Sequence, residues 1–307
     1  MEFVEQKRKE ILTGGAATAN AYTSRLRTLN GGVTPTDYDF LEDMNHIMSF
    51  LEKNYKPNTQ RNFIIAIVST LKKIPGKKHL YEQYSEIMNK FNSELRVNNT
   101  RSEVQQENWI SQAQVIDVYH TLYRKTYPTL FKKGTLDASE WDSCLHFMVL
   151  ALYTQIAPRR ILDFILMVVV KRLPKQMNLD INYLDLESKS FYFNNYKTSG
   201  TYNTQTVRIP DDLFGIIQQY LKKHPLKLVS GSSIPLLCDF KGQALPRPNI
   251  ITRILNKIFD KQISVSLLRN IYLTDKFKHQ NSEIEMVAEN MGTSVGTIQS
   301  NYIKKDV

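Results

Sequence analysis

The segment that most constrains this chain is residues 140 to 155. Leu145, Phe147, Met148, Val149, Leu150, Leu152 and Tyr153 leave a helix there apolar nearly all round. Such a helix has no face for water, so other elements must enclose it, and the residues around it must build a core with several layers. Ser139 can cap its start. Directly after it comes Ile156-Ala-Pro158-Arg159-Arg160-Ile-Leu-Asp163. A proline followed by arginine at a helix start sets a guanidinium beside unpaired backbone N–H groups, an arrangement suited to phosphate.

Beyond Leu173-Pro174 the period of the apolar residues changes from helical to alternating. Residues 181–186, 190–196 and 204–209 are short, β-branched and aromatic, with polar turns between them. They predict a three-stranded antiparallel sheet, with Lys197-Thr-Ser-Gly-Thr201 as the hairpin between the last two strands. Helices are expected again at 211–223 and 249–259, with a loop through Gly231-Ser-Ser233. Ser111 can cap a helix over 112–127, which opens this part of the chain.

The first third reads differently. Residues 1–18 end in Gly14-Gly-Ala-Ala-Thr and predict a flexible N-terminal arm. A short helix follows over 19–29, stopped by Asn30-Gly-Gly32. Thr34-Pro-Thr36-Asp37 signals a second, with Phe40, Met44, Ile47, Met48 and Leu51 on one face. Asn58 is expected to cap a third, which carries Phe63, Ile64, Ile67, Val68 and Leu71 and ends at Pro75-Gly76. The fourth, 79–95, carries Leu80, Tyr84, Ile87, Met88 and Phe91. Four helices with short polar joins predict a compact helical unit over 19–95. Residues 96–110 are almost without apolar side chains up to Asn108 and read as a linker, which leaves 111–307 as the second domain. The predicted fold class is mainly α with a small antiparallel β-sheet, α+β overall.

Composition narrows the function. Forty Lys and Arg against 30 Asp and Glu give a net charge of +10 and a pI near 9.3, which favours a polyanionic partner. The charges are dispersed, which suits a clamp around a duplex rather than a tail lying on it. No apolar run reaches 18 residues; the longest, 161–170, is broken by Asp163, so no membrane span is expected. Residues 1–10 carry no signal-peptide core, and two cysteines, Cys144 and Cys238, read as free buried thiols; an intracellular location is expected. No Cys/His grouping has metal-site spacing and no P-loop occurs, so neither a metal nor another cofactor is expected.

The C-terminal stretch supplies the remaining elements. Val265, Leu267, Leu268, Ile271 and Tyr272 recur helically around one arginine, Arg269. A second run over 283–290 stops at Met291-Gly292, after which Thr293 or Ser294 can cap a helix bearing Val295, Ile298 and Tyr302. In this order the residues resemble the second conserved box of the tyrosine recombinase/integrase family: His-x-x-Arg, then Leu-Gly-His-Ser, then a nucleophilic tyrosine nine residues after the second histidine. Ser266-Leu-Leu-Arg269 aligns with the first part, Met291-Gly-Thr-Ser294 with the second, and Tyr302 falls at the tyrosine. Both histidines are replaced, by Ser266 and Thr293. The family's first box, Arg-x-x-Glu, resembles Arg160-Ile-Leu-Asp163 with a shorter acid. That match favours Arg160 over Arg159, and the Pro-Arg-Arg pattern is similar to that of integrases from large DNA viruses and their mobile elements.

The resemblance implies a helical, SAM-like core-binding domain over 19–95 and a catalytic domain over 111–307. It implies cleavage and rejoining of double-stranded DNA through a 3′-phosphotyrosyl bond, with Tyr302 as nucleophile, Arg160 and Arg269 on the phosphate and Lys197 as general acid. Ser266 and Thr293 would be left as hydrogen-bond donors. It further implies a homo-oligomer, a tetramer on DNA, acting wherever the viral or mobile-element DNA is, in host nucleus or cytoplasm. Candidate phosphate contacts are Arg159, Lys56, Arg61, Arg25, Arg27, Lys72 and Lys73; Lys56 and Arg61 flank a predicted helix start. Two other readings fit the same residues, a type IB topoisomerase-like relaxing activity and a DNA-binding descendant without catalysis.

Overall fold

The structure, a computed structural model, describes residues 16–97, 100–291 and 295–297. The described chain is mainly helical with one small mixed sheet, and it divides into two compact units, Met1–Arg101 and Ser102–Val307. No described helix is long and apolar enough to cross a membrane.

The first unit holds helices α1 (Ala16–Leu29), α2 (Met44–Asn54), α3 (Pro57–Leu71) and α4 (Lys78–Val97), with a 3₁₀ turn at Asp39–Glu42. The second helix starts later than its Thr-Pro-Thr-Asp signal implies. Asp43 is the cap, accepting a hydrogen bond from the His46 backbone N–H at 3.0 Å. Helix α3 begins at Pro57, not at a cap by Asn58, because proline needs no N–H partner in the first turn. Leu41, Ile47, Leu51, Ile64, Ile67 and Tyr84 close the core, and the Tyr84 hydroxyl donates to the Leu41 carbonyl at 2.9 Å.

In the second unit a short helix, α5 (Glu103–Asn108), lies inside the predicted linker. Ser102 starts it with a capping box, its hydroxyl on the Gln105 N–H and the Gln105 side chain on the Ser102 N–H. Helices α6 (Gln112–Phe131) and α7 (Ala138–Thr154) open on the same device, at Ser111 with Gln114 and at Asp137 with Glu140. Helix α7 is the all-apolar segment, and it is buried from Leu145 to Tyr153 except at His146, which is half-buried. It packs against α6, α10 (Asp211–Lys223) and α11 (Asn249–Phe259), and each fully buried Leu or Phe stabilises by about 1.5–3 kcal/mol.

The sheet is larger than the predicted three strands. β2 (Tyr183–Asp185), β3 (Ser190–Phe193) and β4 (Gln205–Arg208) form the expected antiparallel set. To these the fold adds β1 (Val168–Val170), parallel to β2, and β5 (Ser233–Pro235), antiparallel to β1, in the order β4-β3-β2-β1-β5. The three valines of β1 sit inside an apolar run where no alternation marks a strand, and β5 follows the Gly231 turn that reads as plain loop. The Lys197 connection is also not a bare hairpin. A single helical turn, α9 (Ser199–Tyr202), fills it, with Asn203 at φ 54 on the return.

The remaining helices are α8 (Ile161–Ile165), α12 (Val265–Asn290) and α13 (Val295–Thr297). The two helical runs expected at 265–272 and 283–290 are one continuous helix of 26 residues. Thr274 to Ser282 contains neither glycine nor proline, so nothing in the backbone stops it.

Candidate active site

Arg160 is the N-cap residue of α8, immediately after the buried α7 runs out at Thr154. Tyr153 and Phe164 hold that junction, edge to face at 5.7 Å, and Phe164 packs in turn on Phe191 at 5.7 Å and Phe193 at 5.6 Å. The start of α8 is thereby fixed onto strand β3. From the far end of the chain, Ser264 caps α12 by accepting from the Leu267 N–H at 3.2 Å. Buried Leu267, Leu268 and Ile271 then seat the first turns of α12 and present Arg269, half-buried.

These elements enclose a cleft of about 310 Å³. Arg159, Arg160 and Arg269 line it, with Asp163, Tyr196, Thr198, Tyr202 and Gln205. Three guanidinium groups thus converge on one small cavity.

The two neighbouring arginines are held differently. Asp163, the acid of the Arg160-x-x-Asp163 pattern, pairs with Arg159, at 2.8 Å from Nε. Arg159 lies before the N-cap, and the backbone at Arg160 is extended, so the Arg159 guanidinium folds back onto Asp163, whose side chain is nearly fully enclosed at 3% exposed. Arg159 also donates to the Gln205 side chain at 3.0 Å and lies flat over the Phe193 ring, 3.7 Å from its centre. Its charge and two of its donors are committed to the protein. For the Arg160 side chain no hydrogen bond or ion pair occurs among the described residues, and the residue lines the cleft.

Two buried polar atoms at this site, the Tyr153 hydroxyl and Asp163 Oδ1, have no hydrogen-bond partner among the described residues. Burial pushes the Tyr153 phenol far up from its ordinary value; the Asp163 carboxylate adds to this and Arg269 opposes it. Tyr153 therefore stays protonated, a neutral hydroxyl between a carboxylate and a guanidinium.

Asn182, 4% exposed, locks the cleft walls together. Its side-chain amide donates to the Asp163 and Asn195 carbonyls, both at 3.0 Å. Its oxygen accepts from the Asn194 N–H at 2.9 Å and the Asn195 N–H at 2.8 Å. All four hydrogen-bonding positions of one amide are used, joining α8 to the exit of β3. The Tyr196 hydroxyl donates to the Asn203 carbonyl at 2.8 Å and closes the β3–β4 connection.

Lys197 stands on that connection, exposed, between the cleft residues Tyr196 and Thr198 but not itself in the lining. Ser266 is exposed on the first turn of α12 and does not line the cleft either. Tyr302 and Thr293 lie outside the described residues. Sequence reasoning missed Asn182, Gln205 and Tyr202. Asn182 and Gln205 both read as ordinary positions of predicted strands, and only their partners across the fold show what they hold.

In the first unit the candidate phosphate contacts do not form one patch. Lys56 precedes α3 and Lys72 and Lys73 follow it, so about 22 Å of helix separates them. Arg61 is tied to Asn92 at 2.6 Å, Arg27 donates to the Gly32 carbonyl, and Arg25 is half-buried on α1.

Compared with known proteins, the chain matches no family model, no curated protein and no solved structure.

Proposed function

We propose that this chain is a tyrosine recombinase, an integrase-type enzyme that cuts and rejoins double-stranded DNA at a specific sequence. The observation that carries the reading is the cleft. Arg160 and Arg269, remote in sequence, face one cavity of about 310 Å³ beside the connection that bears Lys197. A phosphodiester under attack gathers negative charge on its non-bridging oxygens, and two guanidinium forks match that charge in sign and geometry.

Tyr302 attacks the phosphorus through its phenolic oxygen, which forms a 3′-phosphotyrosyl bond while the bond to the 5′-oxygen breaks. Lys197 gives the departing 5′-oxygen its proton. A 5′-hydroxyl then reverses the sequence on the same or another strand. One ester replaces another, so no nucleotide is hydrolysed. Ser266 and Thr293 in place of imidazoles slow the step by about a hundredfold, the usual value of one general base. Sequence-specific synapsis makes the acting form a homotetramer on DNA.

Covalent trapping tests this. Nicked duplexes carrying the element's own ends lose the cleaved piece by diffusion, leaving a denaturant-resistant protein–DNA adduct in EDTA. Adduct formation that falls at least about a hundredfold in Arg160→Ala and in Arg269→Ala supports the reading. Binding to the same DNA without any adduct moves it to a clamp without catalysis. Cleavage with no sequence preference moves it to a relaxing enzyme of the topoisomerase type.

A further inference from the structure

Helix α12 changes character along its length. Its first turns carry Leu267, Leu268 and Ile271 into the core, but from Leu273 to Met291 every side chain is exposed except Ile284, half-buried, and Ala288, which is buried at 4% where the helix also contacts α13. The exposed part carries apolar side chains among its polar ones. Leu273 is 46% exposed, Phe277 39%, Val287 42% and Met291 56%, with Ile284 half-buried between them.

These residues are regularly placed. Leu273, Phe277, Gln280, Ile284, Val287 and Met291 alternate steps of four and three, the spacing of a coiled-coil seam. At 100° per residue all six fall on one narrow stripe, and it points away from the buried face of the first turns. The stretch is about 28 Å long. An apolar seam of that length along a projecting helix has no reason to face water.

We propose that this seam pairs antiparallel with the same segment of a second copy of the chain. The stripe is its own complement in that direction. Leu273 meets Met291, Phe277 meets Val287 and Gln280 meets Ile284, and the two-fold axis repeats each layer in reverse. Antiparallel helices pack unlike seam positions against each other in this way. The charges agree in direction. Residues 274–279 carry Lys276 and Lys278 against Asp275 alone, whereas 283–290 carry Glu283, Glu285 and Glu289 and no base. An antiparallel pair sets the basic half of one helix along the acidic half of the other, and a parallel pair sets like on like. Exposed charges of this kind select orientation more than they add affinity. The Gln280 layer weakens the seam and fixes its register. The inference holds whatever reaction the cleft performs.

The test is a disulfide placed in register, in the full chain. Phe277→Cys with Val287→Cys puts two thiols opposite each other across the pair. Within one straight helix they stand about 15 Å apart, too far to bond. The native thiols do not interfere: Cys144 and Cys238 are fully buried, and burial pushes them up to about 11 and about 12. Mild oxidation is expected to give a covalent dimer, and Phe277→Cys with Met286→Cys, out of register, to give little. A monomer with both new thiols consumed would overturn the proposal, because it means the helix folds back on itself near Ser282. Thiols that stay free would overturn it as well. Sedimentation of the unmodified chain supplies the second measurement. Dimerisation should weaken by about tenfold or more in Phe277→Glu, as for a seam residue at the centre of a small interface. An unchanged association would contradict the proposal.

Discussion

The cleft and the distal half of α12 both begin at the same turn of helix, around Arg269, and they differ in what surrounds their side chains. In the cleft wall Arg159 is held by Asp163, Gln205 and a ring, and Asn182 uses all four of its positions. Distal α12 has the opposite character, with apolar side chains and little described structure over them. The first region is largely tied together by its own chain, and among the described residues the side chains of Arg160 and Arg269 have no hydrogen-bond partner there. The second is unfinished, and what it lacks is a surface.

The comparison breaks first if Asp163 is not structural. Asp163→Ala leaves the half-buried Arg159 cation without its carboxylate, and a loss of about 1–3 kcal/mol in chemical denaturation is expected. Replacing both partners, Arg159→Met with Asp163→Leu, should recover most of it. If the single change proves neutral, Arg159 is not held as described. Asn182→Ala comes next. It strands buried carbonyls and N–H groups at about 1–3 kcal/mol each, and lowered thermal stability should come with lost adduct formation.

Arg160 separates chemistry from stability. Arg160→Ala should leave the melting temperature within about 2 °C while adduct formation falls about 10²–10³-fold. Lysine there should restore little, because it lacks the fork. A matching loss of stability would put Arg160 with Arg159 in the scaffold. On distal α12, Phe277→Glu should change the unfolding free energy by no more than about 0.5 kcal/mol, since no core surrounds it.

The smallest effect concerns pH. Burial holds the His224 imidazole below its ordinary value, against the raising influence of its bonds at Leu226 and Pro235. The folded chain keeps it neutral where the unfolded chain protonates, so its stability contribution is complete above about pH 6.5 and declines as pH falls below that. His224→Gln should flatten that acid limb in a urea titration series.

How much of this was legible in the sequence follows from how local each signal is. The all-apolar α7 needed only its own residues, and so did α10 and α11. Strands β2 to β4 announced themselves by alternation. Strand β1 did not, because a strand covered on both faces is uniformly apolar and matches a helix equally well. The Arg160-x-x-Asp163 pattern did not show that the acid pairs with Arg159, because that contact depends on how the extended backbone before the helix turns the Arg159 side chain back. Asn182 was invisible for another reason: its four partners come from two separate segments, Asp163 and Asn194–Asn195. The two helices read at the C-terminus are one, because a polar stretch without glycine or proline weakens a helix without ending it.

The measurement that reaches the central claim most directly is to digest the trapped adduct and identify the tyrosine that carries the DNA. Two tyrosines compete for that role, Tyr302 and Tyr202, which lines the cleft and is 63% exposed. The account predicts the phosphate on Tyr302, with no adduct in Tyr302→Phe and a full one in Tyr202→Phe. Phosphate on Tyr202, or an adduct that survives Tyr302→Phe, would contradict it.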